Sequence, residues 1–201
     1  MEELLLWVCL QQLCLHTVLR IRHVEENVTS LLFDYVSGFE SNPSGLEEKL
    51  QGIDMNSPSA LEDLQRSLGS PEVILGAIQS QGQLNLLPEI NAVIAVIVGY
   101  VDYIMDSIGS GLIGSYGQIT EAMRRLRVEA DPSDRFIERM LGLELTQAQY
   151  DRGNAFIQGV VERSGDNELI RLWSEPKNFP TPNEVDAPGL WLARIDLPDV
   201  S

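Results

Sequence analysis

The sequence predicts an all-α protein, because apolar residues recur at helical spacing and no segment alternates apolar and polar residues for long. The strongest pattern lies in residues 86–113, where apolar side chains recur at alternating steps of three and four residues. The first half of this stretch is apolar on its other faces too, which predicts a central helix buried all round. Its stripe comprises Leu87, Ile90, Ile94, Ile97, Val101, Ile104 and Ile108.

Two helices are predicted before the central one. Residues 4–23 contain neither glycine nor proline, and residues 24–39 combine inward apolar positions with outward acidic ones. Residues 42–85 predict a loop-rich connection with short helices, and residues 79–85 within it form a polar link into the central helix. The inward set of the second helix is Val28, Leu31, Leu32, Tyr35 and Val36.

Shorter helices are predicted after the central one, over residues 116–130 and 133–141. Two later helices begin with the spacing of a capping box, Thr146 with Gln149 and Thr181 with Glu184. Residues 167–173 and 188–195 predict two last amphipathic pieces. The helix over 116–130 is expected to bury Tyr116, Ile119, Met123 and Leu126, and the one over 133–141 carries Phe136, Ile137, Met140 and Leu141.

The length and composition predict one domain over residues 1–201, since 201 residues with 44% hydrophobic side chains can bury a substantial core. Within it, residues 1–41 hold the first two helices, residues 42–85 the loop-rich connection and residues 86–201 a C-terminal helical part. We find no internal repeat and no low-complexity tract.

The charge balance restricts the classes of partner. Fourteen basic against 30 acidic side chains give a net charge of −16, which argues against nucleic acid and anionic membranes as partners. The longest uninterrupted apolar run, residues 92–98, falls short of the roughly 20 residues that cross a bilayer. Cys9 and Cys14 do not suggest a disulfide framework, and the acidic first residues do not suggest a signal peptide. We therefore predict a soluble cytoplasmic protein.

Three groups of side chains could carry chemistry. Asp102 and Asp106 lie one helical turn apart beside a buried segment, so their charges must be paired, hydrated or used. A hydrogen-bonded structural stripe is the more common role for such a pair, because two carboxylates alone define no reaction.

Cys14 lacks a histidine that could activate it as a nucleophile, since His16 points about 200° around the helix from it. The expected role of Cys14 is that of a small buried hydrophobic residue. The basic residues Arg124, Arg125 and Arg127 could clamp a phosphate, but are expected to balance neighbouring acids.

The run Gly99–Gly109 resembles the signature of a bacterial zincin-like metallopeptidase family, whose members are described as hydrolases or as associated with coenzyme biosynthesis. The resemblance continues in order and spacing to the region Trp191–Arg194, and Leu6–Leu10 resembles the start of that family's active-site helix. It is carried between these points by Ile113, Tyr116, Glu138–Leu143, Gln149, Tyr150, Gly153, Phe156 and Val160–Arg163.

The resemblance implies a zinc motif His-Glu-x-x-His on the first helix, in which two histidines bind the metal and the glutamate activates water. Here Gln11 and Leu15 stand at the two ligand positions and Gln12 stands at the position of the base. On the central helix Val98 replaces a glutamate that could be a third ligand, and Tyr103 replaces a frequent histidine. We therefore expect a catalytically degenerate homologue that binds no metal cofactor and acts as a scaffold or binding protein.

Two alternatives remain at this level. The first is an active zinc-dependent hydrolase with substituted ligands centred on His16 and Asp102, with Asp106 as a further candidate. His23 could not share a zinc ion with His16 from one straight helix, since seven residues span about 10 Å. The second alternative is a protein that binds a small ligand in the emptied cleft.

The resemblance also implies an additional N-terminal region ahead of the active-site helix, so this chain is expected to be a shortened form. Without that region the apolar segment Leu4–Val8 is left uncovered. An exposed apolar patch of this kind favours self-association or a protein partner. The predicted consequence is a dimer or an aggregating monomer.

Overall fold

The computed structural model describes residues 2–38, 80–129 and 146–197, and only the backbone of residues 127–129. Helices account for 88% of the interpretable part and no strand occurs within it, which confirms the all-α prediction. The short helices predicted before residue 79 and over residues 133–141 lie outside the described residues.

The helices follow the predicted order. They are α1 (Glu2–Leu19), α2 (Arg22–Ser37), α3 (Gln81–Leu112), α4 (Tyr116–Glu129), α5 (Gln147–Ser164), α6 (Pro182–Asp186) and α7 (Pro188–Ile195), with 3₁₀ segments at Asp166–Trp173 and Pro176–Asn178 between α5 and α6. Both predicted capping boxes are present, and the backbone N–H of the threonine donates to Gln149 Oε1 at 2.7 Å in one and to Glu184 Oε2 at 2.8 Å in the other.

The start of α3 differs from the prediction, because residues 81–85 are helical where a polar link was expected. Gln83 explains the difference: its side chain is fully buried and donates from Nε2 to the Tyr35 carbonyl at 2.7 Å. The same side chain accepts the backbone N–H of Ser80 at 2.8 Å. The burial of a polar residue by a tertiary hydrogen bond cannot be predicted from the spacing of apolar residues.

Two compact units make up the chain. The first comprises Met1–Leu32, Pro88–Glu129 and Thr146–Ser201, and the second comprises Phe33–Leu87 and Ala130–Leu145. In the described part of the second unit, the end of α2 is joined to the start of α3 by the Gln83–Tyr35 hydrogen bond. All the sites discussed below lie within the first unit.

The core of the first unit consists of three apolar clusters, and α3 contributes to each of them. Ala92 and Val96 of α3 belong to the first cluster, Val101 and Met105 to the second, and Val93 and Ile97 to the third. The predicted central role of this helix is therefore confirmed. The partners are Phe156, Ile157, Val160, Leu169, Leu172, Val185, Trp191 and Leu192 in the first cluster, Trp7, Ile113 and Tyr116 in the second, and Val18 and Val24 in the third.

Three residues of the predicted apolar faces are exposed. Ile108 near the end of α3 is 39% exposed, because the covered face there carries Val101 and Met105. Leu126 on α4 is 60% exposed and Val36 on α2 is 55% exposed. Each lies within four residues of the C-terminal end of its helix.

α3 also passes a test for membrane spans by length and composition. The sequence prediction excluded such a segment because its longest uninterrupted apolar run, residues 92–98, is too short, and that exclusion was too strict. In the most apolar window of α3, 44% of the residues are buried inside the protein, and a core helix of a soluble protein has the same composition. The pair α1 and α2 passes the test only as a span bent by 86°.

Candidate functional site

The positions that resemble a zinc motif lie on α1. Gln11 and Leu15 are half-buried one turn apart, whereas Gln12 is exposed. Leu15 packs against two core clusters, the one around Met105 and the one around Val93 and Ile97. The side chain at the second ligand position thus contributes to packing between α1 and α3.

The facing part of α3 is also mainly apolar. Val98 is half-buried, and Tyr100 makes an edge-to-face contact with Trp173 at a ring-centroid distance of 5.0 Å. Burial raises the pKa of the Tyr100 hydroxyl, and a charge on Cys14 would raise it further. Burial likewise raises the pKa of the Cys14 thiol, which lowers the fraction of reactive thiolate at neutral pH.

Asp102 lies one turn further along α3 and is only 7% exposed. It lines a cavity of about 10 Å³ together with Trp7, Thr120 and Arg124. This volume is about the minimum that holds one water molecule. The indole Nε1 of Trp7 donates to Thr120 Oγ1 at 3.1 Å, so the cavity wall is itself hydrogen-bonded.

Two residues of α4 bind the Asp106 carboxylate. Its Oδ1 accepts the hydroxyl of Tyr116 at 2.6 Å and its Oδ2 accepts Arg124 Nη2 at 3.2 Å. Burial, followed by the hydrogen bond to Asp106, raises the pKa of Tyr116 to about 12. Both carboxylate oxygens of Asp106 therefore have protein partners, as expected for a structural polar stripe.

His16 and Asp102 differ in burial. His16 is exposed on α1, whereas Asp102 on α3 is buried. His23 lies on α2, which is bent by 86° from α1, so the assumption of one straight helix through both histidines was wrong. The Nε2 atom of His23 is buried and has no hydrogen-bond partner among the described residues.

The donor set does not fit a zinc ion. Protein zinc sites need three or four nitrogen, sulfur or carboxylate ligands at about 2 Å. Within residues 2–38, 80–129 and 146–197, no three histidine, cysteine, aspartate or glutamate side chains lie close enough to hold a metal. An amide at position 11 and an alkyl group at position 15 cannot supply the missing ligands.

The basic residues of α4 pair with acids. Arg124 binds Asp106, and Arg125 Nε lies 2.8 Å from Glu121 Oε1, as predicted for a charge-balancing cluster. The side chain of Arg127 lies outside the described residues. Cys9 is exposed, and Cys9 and Cys14 are both free thiols.

One tertiary contact near this site had no signal in the sequence. Glu3 on α1 accepts the backbone N–H groups of Gly114 and Ser115 at 3.2 and 3.3 Å, and also the Ser115 hydroxyl. The hydrogen bond from that hydroxyl is the main reason that the pKa of Glu3 is lowered. A carboxylate here also complements the positive N-terminal end of α4. The partners are more than a hundred positions apart in the chain, so no local pattern predicts the contact.

Comparison with known proteins identifies the family. A zincin-like metallopeptidase family profile matches residues 1–192. A crystal structure of a candidate hydrolase with a novel fold from Chloroflexus aurantiacus is similar to this chain, with a TM-score of 0.51 and 28% identity over 70% of this chain. The match spans 46% of the length of that structure. A search of functionally curated proteins finds no match. The chain belongs to the zincin-like metallopeptidase family.

Proposed function

We propose that this chain is a catalytically inactive member of its family and acts by binding other molecules, as a soluble cytoplasmic scaffold. The observation that carries the proposal is the chemistry of the motif positions Gln11, Gln12 and Leu15. None of these side chains can bind zinc strongly or act as a base near neutral pH.

The packing of Leu15 supports the same conclusion. A ligand must keep a nitrogen, oxygen or sulfur atom free for the metal, whereas Leu15 contacts two apolar clusters. Burial raises the pKa of the neighbouring Cys14 thiol, which makes Cys14 a weaker candidate for an alternative nucleophile. The substituted-ligand hypothesis requires His16 and Asp102 in one coordination sphere, whereas His16 is exposed on α1 and Asp102 is buried on α3.

The metal content of the purified protein tests this proposal. The full chain is purified without a metal-affinity tag, dialysed against zinc chloride and then against buffer, and analysed by mass spectrometry beside the double variant His16→Ala, Asp102→Ala. We expect well below one equivalent of zinc in both. About one equivalent in the wild type would overturn the proposal, and its loss in the double variant would assign the substituted ligands.

The outward face of α1 is the surface that we propose for self-association. Exposed positions recur along it at steps of three and four residues, and Leu5 and Leu13 are 59% and 61% exposed. No Asp, Glu, Lys or Arg occurs between Leu4 and Leu19, although the whole chain carries a net charge of −16. Two copies could therefore meet at this face with little like-charge repulsion. Trp7 and Val8 were expected in the patch, but Trp7 is buried in the cluster around Met105 and Val8 is half-buried against it.

Cys9 provides a specific test of this surface. It is exposed midway between Leu5 and Leu13, and residues at the centre of a two-fold helix pair meet their own copies. Mild oxidation by diamide should then give a covalent dimer that Cys9→Ser abolishes and Cys14→Ser does not. Leu5→Glu should yield a monomer in light scattering, whereas Leu190→Glu, at a similarly exposed position of α7, should leave the mass unchanged. A monomeric wild type would contradict the self-association and leave the metal result untouched.

A further inference from the structure

A groove of about 310 Å³ lies in the first unit, and the zinc-motif positions are not part of its lining. Its walls come from α2, α3 and the segment Pro176–Pro182 that leads into α6. This volume is at the lower end of the range typical of small-molecule sites. Its lining includes Leu31, Glu89, Val93, Phe179 and Pro180.

The groove combines an apolar floor with a single charged group. Val93 and Pro180 are buried and Leu31 is half-buried, whereas Glu89 is exposed. No lysine, arginine or histidine lines the groove. Among the residues that the structure describes, none forms an ion pair or hydrogen bond with the Glu89 carboxylate.

The groove wall opposite α3 is the segment Pro176–Pro182, which is held in place by hydrogen bonds from other elements. Three side chains from other elements donate hydrogen bonds to its main-chain carbonyls, and this fixes the wall before any ligand binds. The bonds run from Arg194 Nη2 to Phe179 O at 3.0 Å, from Arg152 Nη2 to Pro182 O at 2.6 Å and from Trp191 Nε1 to Asn178 O at 2.7 Å.

The arginines that hold this wall are already paired with acids. Arg194 Nε lies 2.5 Å from Glu184 Oε1, and Arg152 Nε lies 2.6 Å from Asp186 Oδ1. Burial opposes ionisation of Glu184, yet the hydrogen bonds from Arg194 and Thr181 outweigh it and lower the pKa of Glu184. These two cations therefore do not compete for Glu89.

Phe179 adds an aromatic surface to the groove. Its ring is half-buried and packs against Trp173 at 5.9 Å with an interplanar angle of 74°, so its orientation is fixed. An aromatic ring beside an unpaired carboxylate favours an organic cation, which can contact the ring through its charge or its alkyl part. The net charge of −16 further attracts cations to the surface.

We propose that this groove binds an organic cation with an alkyl chain, its charged nitrogen on Glu89 and its apolar part against Phe179 and the prolines. Such a ligand could be a free molecule or the arginine side chain of a peptide, and both carry an alkylguanidinium group. The site does not depend on the state of the motif on α1, so it applies whether or not the proposed loss of zinc chemistry holds.

Nuclear magnetic resonance titration of the full chain tests the proposal. Butylguanidinium is compared with butylurea, which has nearly the same shape but no charge, and the indole N–H signals of the three tryptophans serve as reporters. Butylguanidinium should shift the Trp173 signal saturably, with little change at Trp7 and Trp191, and added salt should weaken the binding. Butylurea should bind at least about tenfold more weakly, as expected for loss of a charge-assisted hydrogen bond.

Two variants of equal charge change provide the control. Glu89→Gln should weaken butylguanidinium binding about tenfold, while Glu25→Gln, an exposed glutamate of α2 outside the groove, should leave it unchanged. Equal affinity for the two ligands, or unchanged affinity in Glu89→Gln, would overturn the proposal. Since Glu89 is exposed and has no partner among the described residues, the variant should keep the wild-type spectrum. N-acetyl-arginine N-methylamide distinguishes the sources: tighter binding than butylguanidinium indicates a peptide, and weaker binding indicates a free cation.

Discussion

Gly99 of α3 and Gly153 of α5 bring two helix backbones into direct contact. A Cβ atom built on Gly99 would lie 2.4 Å from the Gly153 carbonyl carbon, and one built on Gly153 would lie 2.0 Å from the Ala95 carbonyl oxygen. Real side chains do not tolerate such distances against backbone atoms. The two glycines thus set the separation of the helices that carry half of the buried residues of the first core cluster.

Replacing Gly153 by alanine should therefore destabilise the protein, although alanine favours helix formation. We expect a loss of at least about 1–3 kcal/mol in the free energy of unfolding, measured by urea denaturation, because α3 and α5 must move apart. Gly117→Ala is a suitable control, since nothing lies within 4 Å of a Cβ atom at that position of α4. That variant should be neutral or slightly stabilising. Equal stability of Gly153→Ala and wild type would show that the helices do not approach so closely.

The hydrogen bond from Trp7 to Thr120 should be measurable in stability. Thr120→Val keeps the shape but leaves the buried indole N–H without its acceptor, at a cost of about 1–3 kcal/mol. In a Trp7→Phe background the same change should cost much less, because the donor is gone. Thr17→Val on the exposed side of α1 removes only a local bond to the Leu13 carbonyl and should change stability by less than about 0.5 kcal/mol.

Leu15 and Leu13 offer a matched pair on α1. Leu15→Ala removes contacts with two core clusters, and we expect a loss of about 2 kcal/mol because the residue is half-buried. Leu13→Ala should have little effect on the monomer, since this side chain is largely exposed. Thermal unfolding monitored by circular dichroism at low protein concentration compares the two. A smaller effect at Leu15 than at Leu13 would argue against a packing role for the second ligand position.

Tyr116 should make stability depend on alkaline pH. Its folded pKa of about 12 lies above the value of about 10 expected in the unfolded chain, so the folded state favours the neutral phenol. This contribution is fully present below pH 10 and is lost as the pH rises towards 12. Unfolding free energies of wild type and Tyr116→Phe should therefore converge over that interval, and Asp106→Asn should move the ultraviolet titration of Tyr116 to lower pH. Parallel curves for wild type and Tyr116→Phe would contradict this assignment.

The helical pattern could be predicted closely where apolar periodicity and capping carry the information. The stripe of α3 and the two threonine capping boxes depend on residues within a few positions of one another. Gln83 shows the limit of that information: its burial depends on the Tyr35 carbonyl, 48 positions away, and a polar residue without an evident partner is assigned to a link.

The candidate site also has features that the sequence determines and features that it does not. The sequence alone shows two amides and a leucine at positions 11, 12 and 15, and the order of its motifs indicates the family. Only the tertiary structure places Asp106 on Tyr116, buries Asp102 while it leaves His16 exposed, and opens a groove beside Glu89. The physical reason is that helix formation and capping are local, whereas burial and hydrogen-bond partners depend on which helices pack together.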